Sequence, residues 1–343
     1  MNPSSAGGIL GRLSVAAVAV FALSAAHADN TDAVARAREQ FVTRMVKTHG
    51  FDRNALETVL QSAVIDQTVL DAISRPAERV VPWYEYRNIF VTPKRIEAGV
   101  QFWQTHADAL QTMSDRYGVA PEMLVAIIGV ETFFGQRMGR YRVLDSLATL
   151  AFAYPPRAKF FASELESFLL LAREEDVDVS SALGSYAGAM GAGQFIPSSY
   201  RAYAVDGNAD GKRDLWSDWD DVFASVANYF KKNGWQSGQP VAEQATRSTH
   251  FDGAEPRDRL ALNATVGALS KEGYVFQTEA PDDTPAGVFA LEAEGGGAEY
   301  WVGYENFRVI TRYNSSPKYA LAAYELGLAI RAHLQDKAGS AGE

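Results

Sequence analysis

A chain of 343 residues, 47% of them hydrophobic, is long enough to bury a core shared by two or three subdomains. A net charge of −10 argues against the basic stripe of a nucleic-acid binder and leaves room for a bound cation. With no cysteine there is no disulfide framework and no thiol to carry a lipid anchor.

In chain order, Arg12 precedes the apolar run 15-VAAVAVFALSAA-26, which ends at the small-x-small site 26-AHA-28. This pattern predicts a cleavable secretory signal peptide over residues 1–28. The run is too short to cross a bilayer comfortably, and the mature chain would have no transmembrane segment. Residues 29–92 read as an N-terminal helical region. In 32-DAVARAREQFVTRMVKTHG-50, Val34, Ala37, Phe41, Met45 and Val46 share one face, and Gly50 stands where a helix-ending glycine belongs. A similar pattern covers 53–63, and 76-PAERVVPWYEYRNIF-90 reads as an aromatic-rich connection.

Residues 93–235 read as the helical core. Residues 95–118 carry a helical pattern, Pro121 and Glu122 suit the start of another helix, and 158–176 is strongly amphipathic. Residues 236–305 read as a small α/β subdomain, in which 287-GVFALEA-293, Gly295–Gly297 and 299-EYWVGY-304 form a strand, a glycine turn and a returning strand. Residues 306–343 return to the core through a strand-like 307-FRVITRY-313 and a last helix at 319–334. The tail 337-KAGSAGE-343 reads as disordered. The fold class expected is mainly α (α+β), a helical core with an N-terminal helical region and a small inserted α/β subdomain.

One charged residue interrupts 125-VAIIGVETFFG-135. On a helix starting at Pro121, Leu124, Ile127, Ile128 and Glu131 recur at spacings of three and four, so Glu131 continues the apolar stripe. Desolvation there favours the protonated carboxyl, the form that protonates a glycosidic leaving oxygen. Gly135 is placed to end the helix. Spacing alone leaves a second reading open, an ordinary buried Glu paired with Arg137 or Arg140. The later stretch 184-GSYAGAMGAGQFIPSSYRAYA-204 brings Gly184, Gly188, Gly191 and Gly193 among Ser185, Tyr186, Met190, Gln194 and Phe195. That mix suits a sugar cleft, although the glycines alone fit a close helix–helix contact equally.

The motifs GVETFFG, 147-LATLAFAYPPRAKFF-161, GAMGAGQFIPSSY, 214-DLWSDWDDVFASVANYFKKNGW-235 and 311-TRYNSSPKYA-320 together resemble the lytic murein transglycosylase B family over nearly all the mature chain. The resemblance implies a lysozyme-like core that cleaves the β-1,4 bond between N-acetylmuramic acid and N-acetylglucosamine, without a catalytic cofactor. It puts the single catalytic acid and base on Glu131. It puts substrate-binding roles on Tyr86, Arg157, Ser185, Gln194, Phe195, Tyr229, Tyr313, Asn314 and Tyr319. Phe133 and Phe134 depart from the Arg-Trp that relatives often carry after Glu-Thr. No second acid stands in an obvious place opposite Glu131, and Asp145 is better explained by helix packing or capping. The resemblance implies intramolecular chemistry, for which one acid and base suffices, ending in a 1,6-anhydromuramoyl product.

The segment 206-DGNADGKRDLWSDWDD-221 begins like a calcium loop, with Asp206, Asn208, Asp210, the Lys212 carbonyl and Gly211 in the right order. Ser217 stands where the closing Glu belongs, so closure would fall to Asp220 or Asp221, as in the family's extended EF-hand-like loop. A structural Ca2+ is expected there; the alternative is a solvated acidic turn. The remaining expectations are a monomer in the periplasm, with peptidoglycan glycan strands and other cell-wall enzymes as partners. The rival functions are a hydrolytic muramidase and a non-catalytic, calcium-stabilised cell-wall-binding protein.

Overall fold

The computed structural model describes the backbone of residues 14–75 and 81–340, and the side chains of residues 32–75 and 81–339. The signal-peptide expectation falls outside these, apart from the backbone of residues 14–28. That backbone forms the beginning of α1 (Ser14–His49). Gly50 follows with φ 66° and donates its N–H to the Val46 carbonyl, closing α1 as the sequence implied. Next come α2 (Arg53–Gln61), α3 (Gln67–Ser74) and α4 (Trp83–Phe90). The expected aromatic connection is thus helical from Trp83 onward, because Trp83 and Tyr86 are one turn apart and both are buried.

The stretch 95–118 forms two helices, α5 (Pro93–Thr105) and α6 (Ala107–Tyr117), broken at His106, whose φ of −116° and ψ of 24° are not helical. They precede α7 (Pro121–Thr132), which packs against α5, α6 and later elements. Every residue of α7 from Glu122 to Val130 is buried, so the helix has no single apolar stripe. It runs through the middle of the core, and the half-buried Glu131 sits at its open end.

Around it stand α8 (Val143–Ala153), α9 (Ala158–Glu175), α10 (Pro197–Tyr203) and α11 (Trp219–Lys232). Two short antiparallel strands, β1 (Tyr141–Arg142) and β2 (Leu183–Gly184), tie the segment after α7 to the glycine-rich loop.

The insertion holds β3 (Ala242–Arg247), β4 (Ala264–Thr265), α12 (Val266–Lys271), β5 (Tyr274–Val275), β6 (Pro285–Glu292) and β7 (Ala298–Gly303). Its antiparallel sheet has the order β4-β6-β7-β3-β5. Between β6 and β7 the turn uses Gly295, Gly296 and Gly297, all at positive φ. Alternation sends Phe289, Leu291 and Trp301 into the main core, while Ala286 and Val302 join Tyr274 and Tyr304 in a smaller one.

The last two helices are α13 (Glu305–Tyr313) and α14 (Pro317–Ser340). The strand expected at 307–313 is therefore a helix. Its buried residues Asn306, Phe307, Val309 and Ile310 form one helical face. Phe307 stacks on Phe289 at 4.6 Å between centroids, and the Asn306 amide donates to the Gln236 and Gln239 carbonyls. The expected disordered tail is helical as far as Ser340, and residues 341–343 lie outside the described residues.

Candidate active site

The end of α7 is shaped by an unusual turn. The helix stops at Thr132, three residues before the glycine expected to end it, and Phe133, Phe134 and Gly135 take φ values of 50°, 60° and 80°. A left-handed conformation costs a non-glycine residue roughly 1–2 kcal/mol. Packing offsets that cost. Phe134 is buried against Gly129, where an added Cβ would come within 2.7 Å of its ring. Thr132 fixes the same end from within, its Oγ1 donating to the Ala192 carbonyl at 2.9 Å and accepting from the Gly135 N–H at 3.0 Å. Sequence reasoning gave Thr132 no role. Its signal was a hydroxyl directly after the acid at a helix end, three residues before a glycine.

Glu131 accepts a hydrogen bond from the Tyr319 hydroxyl at 2.5 Å. Burial pushes its carboxyl up from 4.5 to about 7, and the Tyr319 hydrogen bond pulls the other way. Near neutral pH the group is therefore poised between acid and base. The Tyr319 and Tyr313 phenols are held well above their ordinary 10, first by burial and next by the Glu131 charge, so both remain donors. Arg137 lies over the Phe133 ring and Arg140 over the Tyr141 ring, and among the described residues neither pairs with Glu131. The ordinary ion-pair reading is thereby excluded.

The glycine-rich segment faces this end of α7. Met190 bridges to Gly184 and to Phe195, folding the segment into a tight loop with Gly188 and Gly191 at positive φ. Tyr313 donates to the Gly193 carbonyl at 2.5 Å, an approach so close that a Cβ at Gly193 would lie 3.0 Å from the phenol oxygen. Gln194 adopts φ 52° and donates its amide to the Met138 and Gly191 carbonyls, leaving its side-chain oxygen without a partner among the described residues. Ser185 Oγ accepts from the Ala187 and Ala189 N–H groups, which leaves its own O–H as a donor.

The structure brings most of the expected residues together. Phe195, Tyr229 and Tyr313 form a ring cluster with centroids 4.8–5.9 Å apart. Phe195 is buried, so it packs behind the Tyr229 and Tyr313 rings and offers little surface of its own. Tyr229, pushed up to about 12 by burial, donates to the Arg312 carbonyl at 2.6 Å. Tyr86 is close enough to Tyr319 for its charge to act on that phenol. Asn314, next to Tyr313, is exposed and accepts from the Ser316 N–H.

Arg157 stands apart. It is exposed before α9 and stacks on Phe160 and Phe161, and none of its described contacts reaches the Glu131 group. Asp145 is also accounted for elsewhere. It accepts from the Val64 N–H and pairs with Arg142, and among the described residues no second carboxylate touches Glu131.

In the loop at 206–221, Asp206 accepts from the Ala209 and Gly211 N–H groups, Asn208 from Asp210 N–H and Asp210 from Lys212 N–H. Asp221, 1% exposed, reaches back to the Gly207 and Asp214 N–H groups. Of the two possible closing residues, the structure turns Asp221 into the loop, whereas the Asp220 carboxylate acts on His106. Among the described residues, no group of three His, Asp or Glu side chains has converged into metal-binding geometry. The donor set still fits a hard cation. Burial raises the Asp221 carboxyl, and the neighbouring Asp218 and Asp206 charges push it further up, a crowding that a cation would relieve.

Comparison with known proteins gives the same answer. Residues 33–328 match the Transglycosylase SLT domain family. Membrane-bound lytic murein transglycosylase B of Escherichia coli (strain K12) is 43% identical over 303 residues, covering 85% of this chain and 82% of that one. Among solved structures, soluble lytic transglycosylase SltB1 from Pseudomonas aeruginosa superposes with a TM-score of 0.81 at 47% identity, covering 87% of this chain and 99% of that one. The lytic transglycosylase Slt35 of Escherichia coli in complex with calcium gives a TM-score of 0.78 at 42% identity, with coverage of 87% and 93%. The helical core around Glu131 is thus shared with known murein-cleaving enzymes, and the chain belongs to the Transglycosylase SLT domain family as a lytic murein transglycosylase.

Proposed function

We propose that Glu131 alone supplies both the acid and the base of murein strand cleavage. The observation that carries this reading is a half-buried carboxyl held near 7 with, among the described residues, no second carboxylate beside it. Two-carboxylate glycosidases divide these roles between groups on opposite faces of the sugar. Here the protonated Glu131 donates to the glycosidic oxygen as the bond to C1 of the muramoyl residue breaks, and the N-acetylglucosamine leaves as an alcohol. The muramoyl 2-acetamido oxygen shares the positive charge that develops at C1. The carboxylate then takes the proton of the C6 hydroxyl, whose oxygen bonds to C1. The 1,6-anhydro product forms and Glu131 is protonated again.

Tyr319 steadies the carboxylate between the two steps. Ser185, Gln194 and Asn314 orient the acetamido group, and Tyr86, Tyr229 and Tyr313 line the sugar path. The loop at 206–221 takes a structural Ca2+ through Asp206, Asn208, Asp210, the Lys212 carbonyl and Asp221. A relative of this fold has been solved with calcium, which supports that assignment. The enzyme works as a periplasmic monomer after removal of residues 1–28. No helix of the described residues is long and apolar enough to cross a membrane.

Mass spectrometry of digested sacculi tests the chemistry. Anhydromuramoyl ends are expected, absent with Glu131→Gln. Reducing ends alone would mean that water and not the C6 hydroxyl captures C1, as in a muramidase.

A further inference from the structure

The β6–β7 hairpin reaches both segments that carry Tyr86 and Tyr319. Its glycine turn is flanked by Glu292, the last residue of β6, and Glu299, the second of β7. Glu292 pairs with Lys318 Nζ at 3.1 Å, and the same Nζ donates to the Val81 carbonyl at 2.7 Å. Glu299 accepts from the indole N–H of the fully buried Trp83 at 3.1 Å. Lys318 lies in the first turn of α14, directly before Tyr319. Val81 leads into α4, whose first residue is Trp83 and whose next turn carries Tyr86.

The Lys318 side chain is only 19% exposed, and lysine is seldom held so far out of solvent unless it is paired. Its ammonium joins three segments that are distant in sequence, at residues 81, 292 and 318. Hydrogen bonding to its own N–H holds the Glu292 carboxyl below its ordinary value, and Lys318 and the Trp83 N–H pull the same way. Glu292 thus grips the start of α4 as well as that of α14. Two turns further along α14, Glu325 meets Arg87 of α4 at 2.5 Å, a second tie between the same two helices. The Lys318 charge does not itself act on the acid. Glu131 responds to burial and to Tyr319, and the titratable groups that feel its charge are Tyr319 and Tyr313.

We propose that Lys318, held by Glu292, is a positioning residue for murein cleavage: it fixes the first turn of α14 so that the Tyr319 hydroxyl meets Glu131. The same ammonium ties the helix of Tyr86 to that point. The inserted sheet then serves the chemistry as a brace, its carboxylates acting on α4 and α14 and not on the substrate. This inference rests on Glu131 as the acid: an active Glu131→Gln would overturn that reading, whereas the variants below test the brace alone.

The test is the pH–rate profile of Lys318→Met, Glu292→Gln and the double variant on murein strands. Lys318→Arg is the conservative replacement, and Arg201→Gln is a control that breaks the Arg201–Glu174 pair between α9 and α10. In Lys318→Met a loosened phenol holds the carboxyl down less, so the alkaline limb should move to higher pH. Misplacement at the acid should lower kcat about tenfold, with little change in KM. Glu292→Gln should do the same to a smaller extent. The double variant should match Lys318→Met, because the carboxylate acts through the ammonium. Lys318→Arg keeps a charged donor and should restore most of both effects, and Arg201→Gln should leave limb and kcat in place. A limb and kcat unmoved in Lys318→Met, whatever its melting temperature, would make the tie merely structural and overturn the proposal. Equal movement in Arg201→Gln, additive shifts in the double variant, or a raised KM at unchanged kcat would overturn it as well. Should Lys318→Met fail to fold, Glu292→Gln against Arg201→Gln decides by the same outcomes.

Discussion

Replacing Glu131 by glutamine should stabilise the fold in alkaline solution and leave it unchanged in acid. The folded carboxyl holds its proton up to about 7, whereas the unfolded one loses it near 4.5. Below 4.5 both states are protonated and the side chain carries no electrostatic cost. As pH rises from 4.5 to 7, the unfolded chain gains stability by ionising while the folded chain does not. Above 7 the difference is complete. At about 1.4 kcal/mol per pH unit, that interval amounts to about 3 kcal/mol, reduced somewhat because Glu131 is partly open to solvent. Glutamine is neutral throughout and its amide oxygen still accepts from Tyr319. For a chain of this size each kcal/mol moves the melting temperature by roughly 2 °C. Calorimetry should therefore show Glu131→Gln melting roughly 3–6 °C above wild type at pH 8.5 and level with it near pH 4. A difference that is the same at both pH values would refute the claim that burial of this carboxyl perturbs it.

Activity should decline as pH rises through about 7, where Glu131 loses the proton it must donate, and Tyr319→Phe should move that decline to higher pH because the phenol holds the carboxyl down. A pH–rate profile of the two proteins checks both points; an unmoved limb would mean that Tyr319 does not tune the acid. Thr132→Val should cost about 1–3 kcal/mol by leaving the Ala192 carbonyl and the Gly135 N–H without their partner, read as a lower denaturation midpoint. Chelation should lower the melting temperature of wild type, and Asp221→Asn should shrink the gap between calcium-loaded and chelated protein. A melting curve that ignores chelator would remove calcium from the loop.

What was legible in the sequence was what local chemistry decides. The β6–β7 hairpin was written in alternating apolar residues around three glycines, and α9 in its amphipathic period. α13 was misread because Val309, Ile310 and Thr311 between aromatic neighbours look like a strand, while tertiary packing decides otherwise: Phe307 finds Phe289, and Asn306 finds two distant carbonyls. The end of α7 was misplaced for a related reason. Gly135 was the obvious stop, but burial of Phe134 against Gly129 pays for turning the chain two residues earlier. Within the site, Glu131 stood out as a charge in apolar company. Its phenol partner Tyr319, 188 positions away, leaves no local trace; the family resemblance offered it only as a substrate-binding residue, and its bond to Glu131 went unread.

That separation bears on when the enzyme can become active. Glu131 is made early, with the core helices, but Tyr313 and Tyr319 belong to α13 and α14, which follow the whole inserted sheet. A chain emerging from the ribosome carries the carboxyl long before it carries the phenols. The cleft is complete only when α14 has packed against α7. Contacts closed over such long stretches form late in folding. A truncated or incompletely folded chain therefore holds the acid without its phenol partner, so a wall-cutting activity is withheld until nearly the last helix is in place.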